Sequence, residues 1–200
     1  MKITQILKKR GRLNEIRFDD GTYILLDRQF FLESGLKEDD DISEEKADSL
    51  EAESDFLRCK NRAMYYLSGG DYTEKTMIQK LKAAGFEQEY VYKTVIRLKE
   101  LGLINDLRFA VRFIERAREK NLSEREIKEK AMLKGVPGDI LREVLDSGET
   151  DEVERIKALL LGKYANKLND EESSEKVIAA LIRKGFKFSD VRTAVREITE

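Results

Sequence analysis

The chain has 200 residues, with 38 basic and 40 acidic side chains, no histidine, one cysteine and one proline, for a formal net charge of −2. One cysteine excludes an internal disulfide, and the lack of histidine removes the commonest general base and the commonest zinc ligand. No apolar run approaches the roughly 20 residues that span a bilayer, and the N-terminus has no signal-like apolar stretch, so a cytoplasmic protein is expected.

Residues 1–32 carry seven bases against four acids and read as a β-rich segment. Leu13–Phe18, Asp19-Asp20-Gly21 and Thr22–Leu26 form a strand, tight turn and strand, with Ile3–Leu7 as a candidate third strand. So small a sheet needs support, from helix around Phe30-Phe31-Leu32 or from the first of the helical repeats. Residues 33–55 hold eleven acids against two bases, a net −9, and read as an acidic linker beside a basic body, a solvated spacer first and, in the alternative reading, one whose later part enters the first helix.

From residue 56 the period becomes helical, and the chain repeats itself. Gly85, Gly135 and Gly185 stand 50 residues apart, and apolar positions coincide around them: Met77, Ile127 and Val177; Leu81, Ala131 and Leu181; Val91, Leu141 and Val191. Three repeats, 56–105, 106–150 and 151–200, are therefore expected. Each has three helices: about 58–68, 73–84 and 88–101 in the first, with the same offsets plus 50 and plus 100 in the others. The fold class is mainly α: tandem three-helix repeats behind a small N-terminal sheet, an elongated array of a kind that binds rather than catalyses. Thr73, Ser123 and Ser173 occupy one N-cap position, Ser123 and Glu126 make a capping box, and the three glycines suit a left-handed helix end.

No phosphate loop, nucleophile elbow or zinc helix occurs. Cys59 falls on an apolar phase and reads as a core thiol, and the acid pairs read as turn and spacer. No enzyme, cofactor or metal is expected. The basic residues carry more information. Arg58 and Arg108, Arg62 and Arg112, Lys75 and Arg125, and Lys80 and Lys130 coincide in the 50-residue frame, where the third repeat has Ala158, Gly162, Glu175 and Ala180. The scaffold alone does not demand charge there. On the helix near 106–120, Arg108, Arg112 and Arg116 run beside a stripe of Phe109, Ala110, Phe113, Ile114 and Ala117. The plain alternative is a solvated face balanced by Glu115 and Glu119. Arg58, Arg62, Lys75, Lys80, Arg108, Arg112, Arg116, Arg125 and Lys130 are the candidate partner-binding set, suited to phosphate or carboxylate.

The stretch Leu101-Gly102-Leu103-Ile104-Asn105-Asp106-Leu107-Arg108-Phe109-Ala110 resembles the hallmark of the RecX family. So do Ala63–Ser68, Lys80-Leu81 with Gly85, and Lys134-Gly135-Val136, in that order. The resemblance covers residues 58–200, and the N-terminal strands resemble the extension of longer members. A monomer is expected, and the resemblance implies a non-enzymatic regulator that lies in the groove of the RecA filament on single-stranded DNA and inhibits or remodels it. There it restrains recombination and co-protease activity, in DNA repair and the SOS response. The third repeat departs most from the pattern. A stand-alone nucleic-acid-binding helical module is the other reading.

Overall fold

The computed structural model describes residues 1–147, 151–167 and 171–199. They form two compact units: Met1–Asp71 with Met77–Ile104, and Tyr72–Thr76 with the chain from Asn105 onward. The expected repeat boundary at 150/151 falls partly outside the described residues.

The first unit opens with a three-stranded antiparallel sheet in the order β1 (Ile3–Lys9), β2 (Leu13–Phe18), β3 (Tyr23–Asp27). The third strand anticipated from the sequence is present. Alternation along the strands buries Ile16, Phe18, Ile24 and Leu26 on one face. Helix α1 (Arg28–Ser34) follows without a loop, because the Asp27 carboxylate caps it by accepting from Gln29 N at 2.9 Å.

The acidic linker is not a linker. Helix α2 (Glu44–Ser68) begins at the cap Ser43 and runs unbroken into the segment where the first repeat was expected to start. Its early residues Ala47 and Leu50 are buried with the sheet residues Ile3, Ile16, Phe18, Ile24 and Leu26. The acids serve the sheet edges: Glu38 Oε1 accepts from Ile6 N at 3.0 Å on β1, and Glu51 Oε1 accepts from Leu25 N at 3.0 Å on β3. Ser54 Oγ accepts from Asp27 N at 2.7 Å. Unpaired edge N–H groups are what an exposed strand must hide, and this segment hides them. Composition alone suggested solvation, whereas the spacing of Ala47, Leu50 and Ser54 places one face against the sheet.

Helices α3 (Glu74–Ala83) and α4 (Gln88–Glu100) complete the first set of three, α2 packing along α4. Cys59 is fully buried on α2, as its phase implied, and burial pushes its thiol pKa up.

The second unit contains α5 (Asp106–Glu119), α6 (Glu124–Leu133), α7 (Gly138–Asp146), α8 (Glu152–Leu161), a 3₁₀ turn Ala165–Lys167, α9 (Glu171–Arg183) and α10 (Phe188–Thr199). One core gathers Ala110, Ile114, Ile127, Ala131, Leu141 and Leu145, and another Ile156, Leu160, Val177, Leu181, Val191 and Ala194. Gly85, Gly135 and Gly185 end α3, α6 and α9 at φ +88°, +82° and +98°. Behind each, the next amide reaches five residues back: Phe86 N to Leu81 O at 3.3 Å, Val136 N to Ala131 O at 3.1 Å, Phe186 N to Leu181 O at 3.2 Å. These are Schellman turns, and the left-handed residue they require is the reason glycine recurs.

Three local expectations change. Ser173 lies inside α9, which starts at Glu171, so it is not a cap. Ser123 Oγ accepts from Glu126 N at 3.1 Å, but the Glu126 carboxylate turns toward Lys184, 3.8 Å away, leaving half a capping box. The first helix of the third repeat occupies Glu152–Leu161, not 158–168, because Asp151 caps it early by accepting from Glu154 N at 2.9 Å.

Candidate partner-binding surfaces

Burial fixes the register of the first helices. Each carries one fully buried pair four residues apart: Cys59 and Ala63 on α2, Ala110 and Ile114 on α5, Ile156 and Leu160 on α8. These pairs stand 51 and then 46 residues apart, not 50. The loops before the second helices differ in length, so a gapless frame drifts across them. In the burial register Asp55, Asp106 and Glu152 become equivalent, and Arg58 matches Arg155 rather than Arg108. Arg58 Nη1 meets Asp55 at 2.5 Å, just as Arg155 Nη2 meets Glu152 at 3.2 Å in a buried pair. Arg58 and Arg108, and Arg62 and Arg112, are therefore not equivalent positions.

The equivalent acids do more than pair. Asp106 Oδ1 accepts from Glu74 N at 2.8 Å, and Glu152 Oε1 accepts from Glu124 N at 2.8 Å. Each acid at the head of a first helix caps the second helix of the repeat before it. A second bond reinforces each joint. Thr73 Oγ1 donates to the Lys134 carbonyl at 2.8 Å, as does Thr76 Oγ1 at 2.8 Å, and Ser123 Oγ donates to the Lys184 carbonyl at 2.6 Å. The negative end of α6 thus faces the positive end of α3, and that of α9 faces α6. Asn105, next to Asp106 in the hallmark, caps α5 by accepting from Arg108 N at 2.8 Å.

These joints account for two of the candidate residues. Arg125 Nη2 donates to the Arg183 carbonyl at 2.7 Å, and its stem lies against Gly185. Lys75 lies against Gly135 in the same way. Both serve as packing between helices.

The remaining bases divide between the units. In the second, Arg108, Arg112 and Arg116 stand exposed along α5 beside the stacked rings of Phe109 and Phe113, 6.1 Å apart. Arg116, Lys120 and Lys130 rim a cleft of about 380 Å³ floored by Phe113 and Leu122. Lys120 escaped the sequence reading, since only the meeting of α5 with α6 brings it beside Lys130. In the first unit, Lys80 Nζ sits 4.8 Å from the Tyr66 ring centre, and Arg62 lies 6.0 Å and 5.9 Å from the Tyr65 and Tyr66 rings. Arg58 lies 6.0 Å from the Phe86 ring. In the third repeat Ala180 holds the position of Lys130 and Lys80, and the cation–ring pairs lie elsewhere, Lys163 with Tyr164 at 5.6 Å and Arg192 with Phe188 at 5.8 Å. Among the described residues no group of acids, cysteine or histidine is arranged to hold a metal ion, and no helix is long and apolar enough to cross a membrane.

Residues 59–98 match the family model described as "RecX, first three-helix domain". Over 200 residues the chain is 30% identical to Regulatory protein RecX of Streptococcus pneumoniae serotype 19F, covering 99% of this chain and 77% of that protein. The chain belongs to the RecX family. Regulatory protein RecX of Clostridium perfringens strain 13 is 28% identical over 205 residues, 99% of this chain and 96% of that one. The fold agrees as well. A crystal structure of regulatory protein RecX superposes with a TM-score of 0.69 at 21% identity, covering 98% of both chains. That of RecX from Lactobacillus salivarius gives 0.63 at 25% identity, over 72% of this chain and 97% of the other. In this chain the Asn105-Asp106 pair has a physical meaning: Asn105 starts α5 and Asp106 ties it to α3.

Proposed function

We propose that this RecX protein regulates the RecA recombinase without catalysing a reaction, by binding the RecA filament on single-stranded DNA and restraining its recombinase and co-protease activities in the cytoplasm. The observation that carries the reading is the exposed α5 edge of Arg108, Arg112 and Arg116, continued by Lys120 and Lys130 around one cleft, in a chain of this family. Guanidinium groups at helical spacing suit the carboxylates of a protein filament and the phosphates of the strand it encloses. Arg125 and Lys75 are set apart from this surface: the Arg125 guanidinium donates to the Arg183 carbonyl, and the Lys75 stem lies against Gly135 although the residue stays exposed. One chain suffices to present the whole edge, consistent with a monomer.

The test is RecA ATPase on single-stranded DNA, titrated with the protein. A dose-dependent fall supports the reading, and an unchanged rate at saturating protein contradicts it. The rings beside Arg58, Arg62 and Lys80, of which Tyr65 is exposed and Tyr66 and Phe86 are half-buried, favour a second contact, with nucleic acid itself.

A further inference from the structure

The first unit contains a cleft of about 270 Å³ where the β1–β2 turn meets α2 and the turn after α3. Arg12, Arg58, Arg62, Asn61, Tyr65 and Phe86 line it. We propose that this cleft binds single-stranded nucleic acid, a backbone phosphate resting among Arg12, Arg58 and Arg62 and a neighbouring base stacking on Tyr65 or Phe86. The proposal deepens the filament reading and rests on it for the source of the strand.

Three observations carry it. The first is charge. Among the described residues the guanidiniums of Arg12 and Arg62 have no carboxylate partner, and Arg62 lies only over tyrosine rings. Asp27 also lines the cleft, but its carboxylate is occupied as the cap of α1, accepting from Gln29 N at 2.9 Å and Phe30 N at 3.5 Å. Asp55 is held by Arg58. The cations therefore dominate the opening.

The second is the aromatic surface. Tyr65 is 67% exposed on a helix whose other face is buried, and Phe86 is half-buried under Arg58. Rings interleaved with arginines are how proteins hold unpaired bases, which duplex DNA keeps stacked inside. The third is shape and rigidity. The cleft is an open groove between a turn and a helix, a shape that admits a segment of a passing chain. The backbone that carries Arg12 is also held, its carbonyl accepting from Arg28 N at 2.8 Å. An acidic peptide would use the same guanidiniums but leave the rings without a role.

The experiment is fluorescence anisotropy of a fluorescein-labelled oligothymidylate with the full chain, in the absence of RecA. Reversing two cations, Arg12→Glu with Arg62→Glu, is expected to weaken binding at least tenfold. The same change should flatten the salt dependence by about 1.4, two phosphate contacts at about 0.7 each. Tyr65→Ala is expected to weaken the single strand by about fivefold or more and leave a duplex of the same length unaffected. Circular dichroism confirms that each variant folds. Equal affinity for the double reversal and the parent overturns the proposal, as does displacement by polyglutamate as effective as by unlabelled oligothymidylate. RecA ATPase on the same proteins separates the two readings. A parent chain that inhibits RecA but binds no oligothymidylate overturns the cleft and leaves the filament reading standing; one that binds and does not inhibit does the reverse.

Discussion

Gly85 and Gly135 close the same Schellman turn at φ +88° and +82°, yet a Cβ on Gly85 would meet nothing within 4 Å, while one on Gly135 would sit 2.9 Å from Thr73 Oγ1 and 3.0 Å from Lys75 Cβ. Gly185 resembles Gly135, with Arg125 Cβ at 2.8 Å. Backbone conformation asks for glycine at all three positions, and packing asks for it again at two. A repeat visible in sequence therefore carries two kinds of information, the turn itself and what docks on the turn, and only the first is written in the same letters each time.

The largest effects that probe this contrast lie at the joints. Glu152→Ala removes the partner of Arg155 in a buried pair and the cap of α6, and should destabilise the second unit by about 3–5 kcal/mol in urea unfolding. Asp55→Ala, at the equivalent but more exposed pair with Arg58, should cost about 1 kcal/mol or less. Equal losses would show that the two settings do not differ in energy as they do in burial. Next in size, Gly135→Ala should cost about 3 kcal/mol, from the left-handed penalty plus displacement of Thr73 and Lys75, against about 1–2 kcal/mol for Gly85→Ala. Thermal melts that fall equally would show that docking adds nothing. Thr73→Val removes both the cap, in which Thr73 Oγ1 accepts from Thr76 N at 3.2 Å, and the bond to the Lys134 carbonyl, for an expected loss of about 1–2 kcal/mol.

A smaller effect tests the sheet. Hydrogen bonds from Lys9 at 2.6 Å and Arg17 at 2.7 Å hold the Glu15 carboxyl below its ordinary pKa of 4.5. A depressed carboxylate contributes stability above its unfolded-state pKa and loses it as pH falls through the folded one. The stability gap between the parent and Glu15→Gln should therefore be open at pH 7 and close below about pH 4. A gap that is constant with pH would show that these bonds add nothing to the sheet.

Most of the fold was legible because its signals are local: alternation in β2 and β3, the Asp-Gly turn, hydroxyl caps at Thr73 and Ser123, and glycine at the helix ends. Two features were not. The acidic segment 33–55 looked solvated by composition, and its true use, capping the edges of β1 and β3 through Glu38 and Glu51, depends on contacts 32 and 26 residues distant. The register of the first helices slipped because loop lengths vary without changing the pattern on either side. That slip made Arg58 look like Arg108. Of the candidate site, the α5 edge was readable from spacing alone. The roles of Lys75 and Arg125 in packing, and the approach of Arg12 and Lys120 to other cations, arise only when separate elements meet.

Whether the α5 edge meets the filament is decided by inhibition of RecA ATPase on single-stranded DNA with paired charge-reversal variants. Exposed charges of this kind add only about 0–1 kcal/mol to stability, so reversal should spare the fold, as circular dichroism would verify, while turning attraction at a binding face into repulsion. Arg108→Glu with Arg112→Glu should lose at least tenfold in inhibitory potency, and Lys187→Glu in the third repeat should stay close to the parent. Equal potency for the double reversal and the parent would contradict a filament contact through α5.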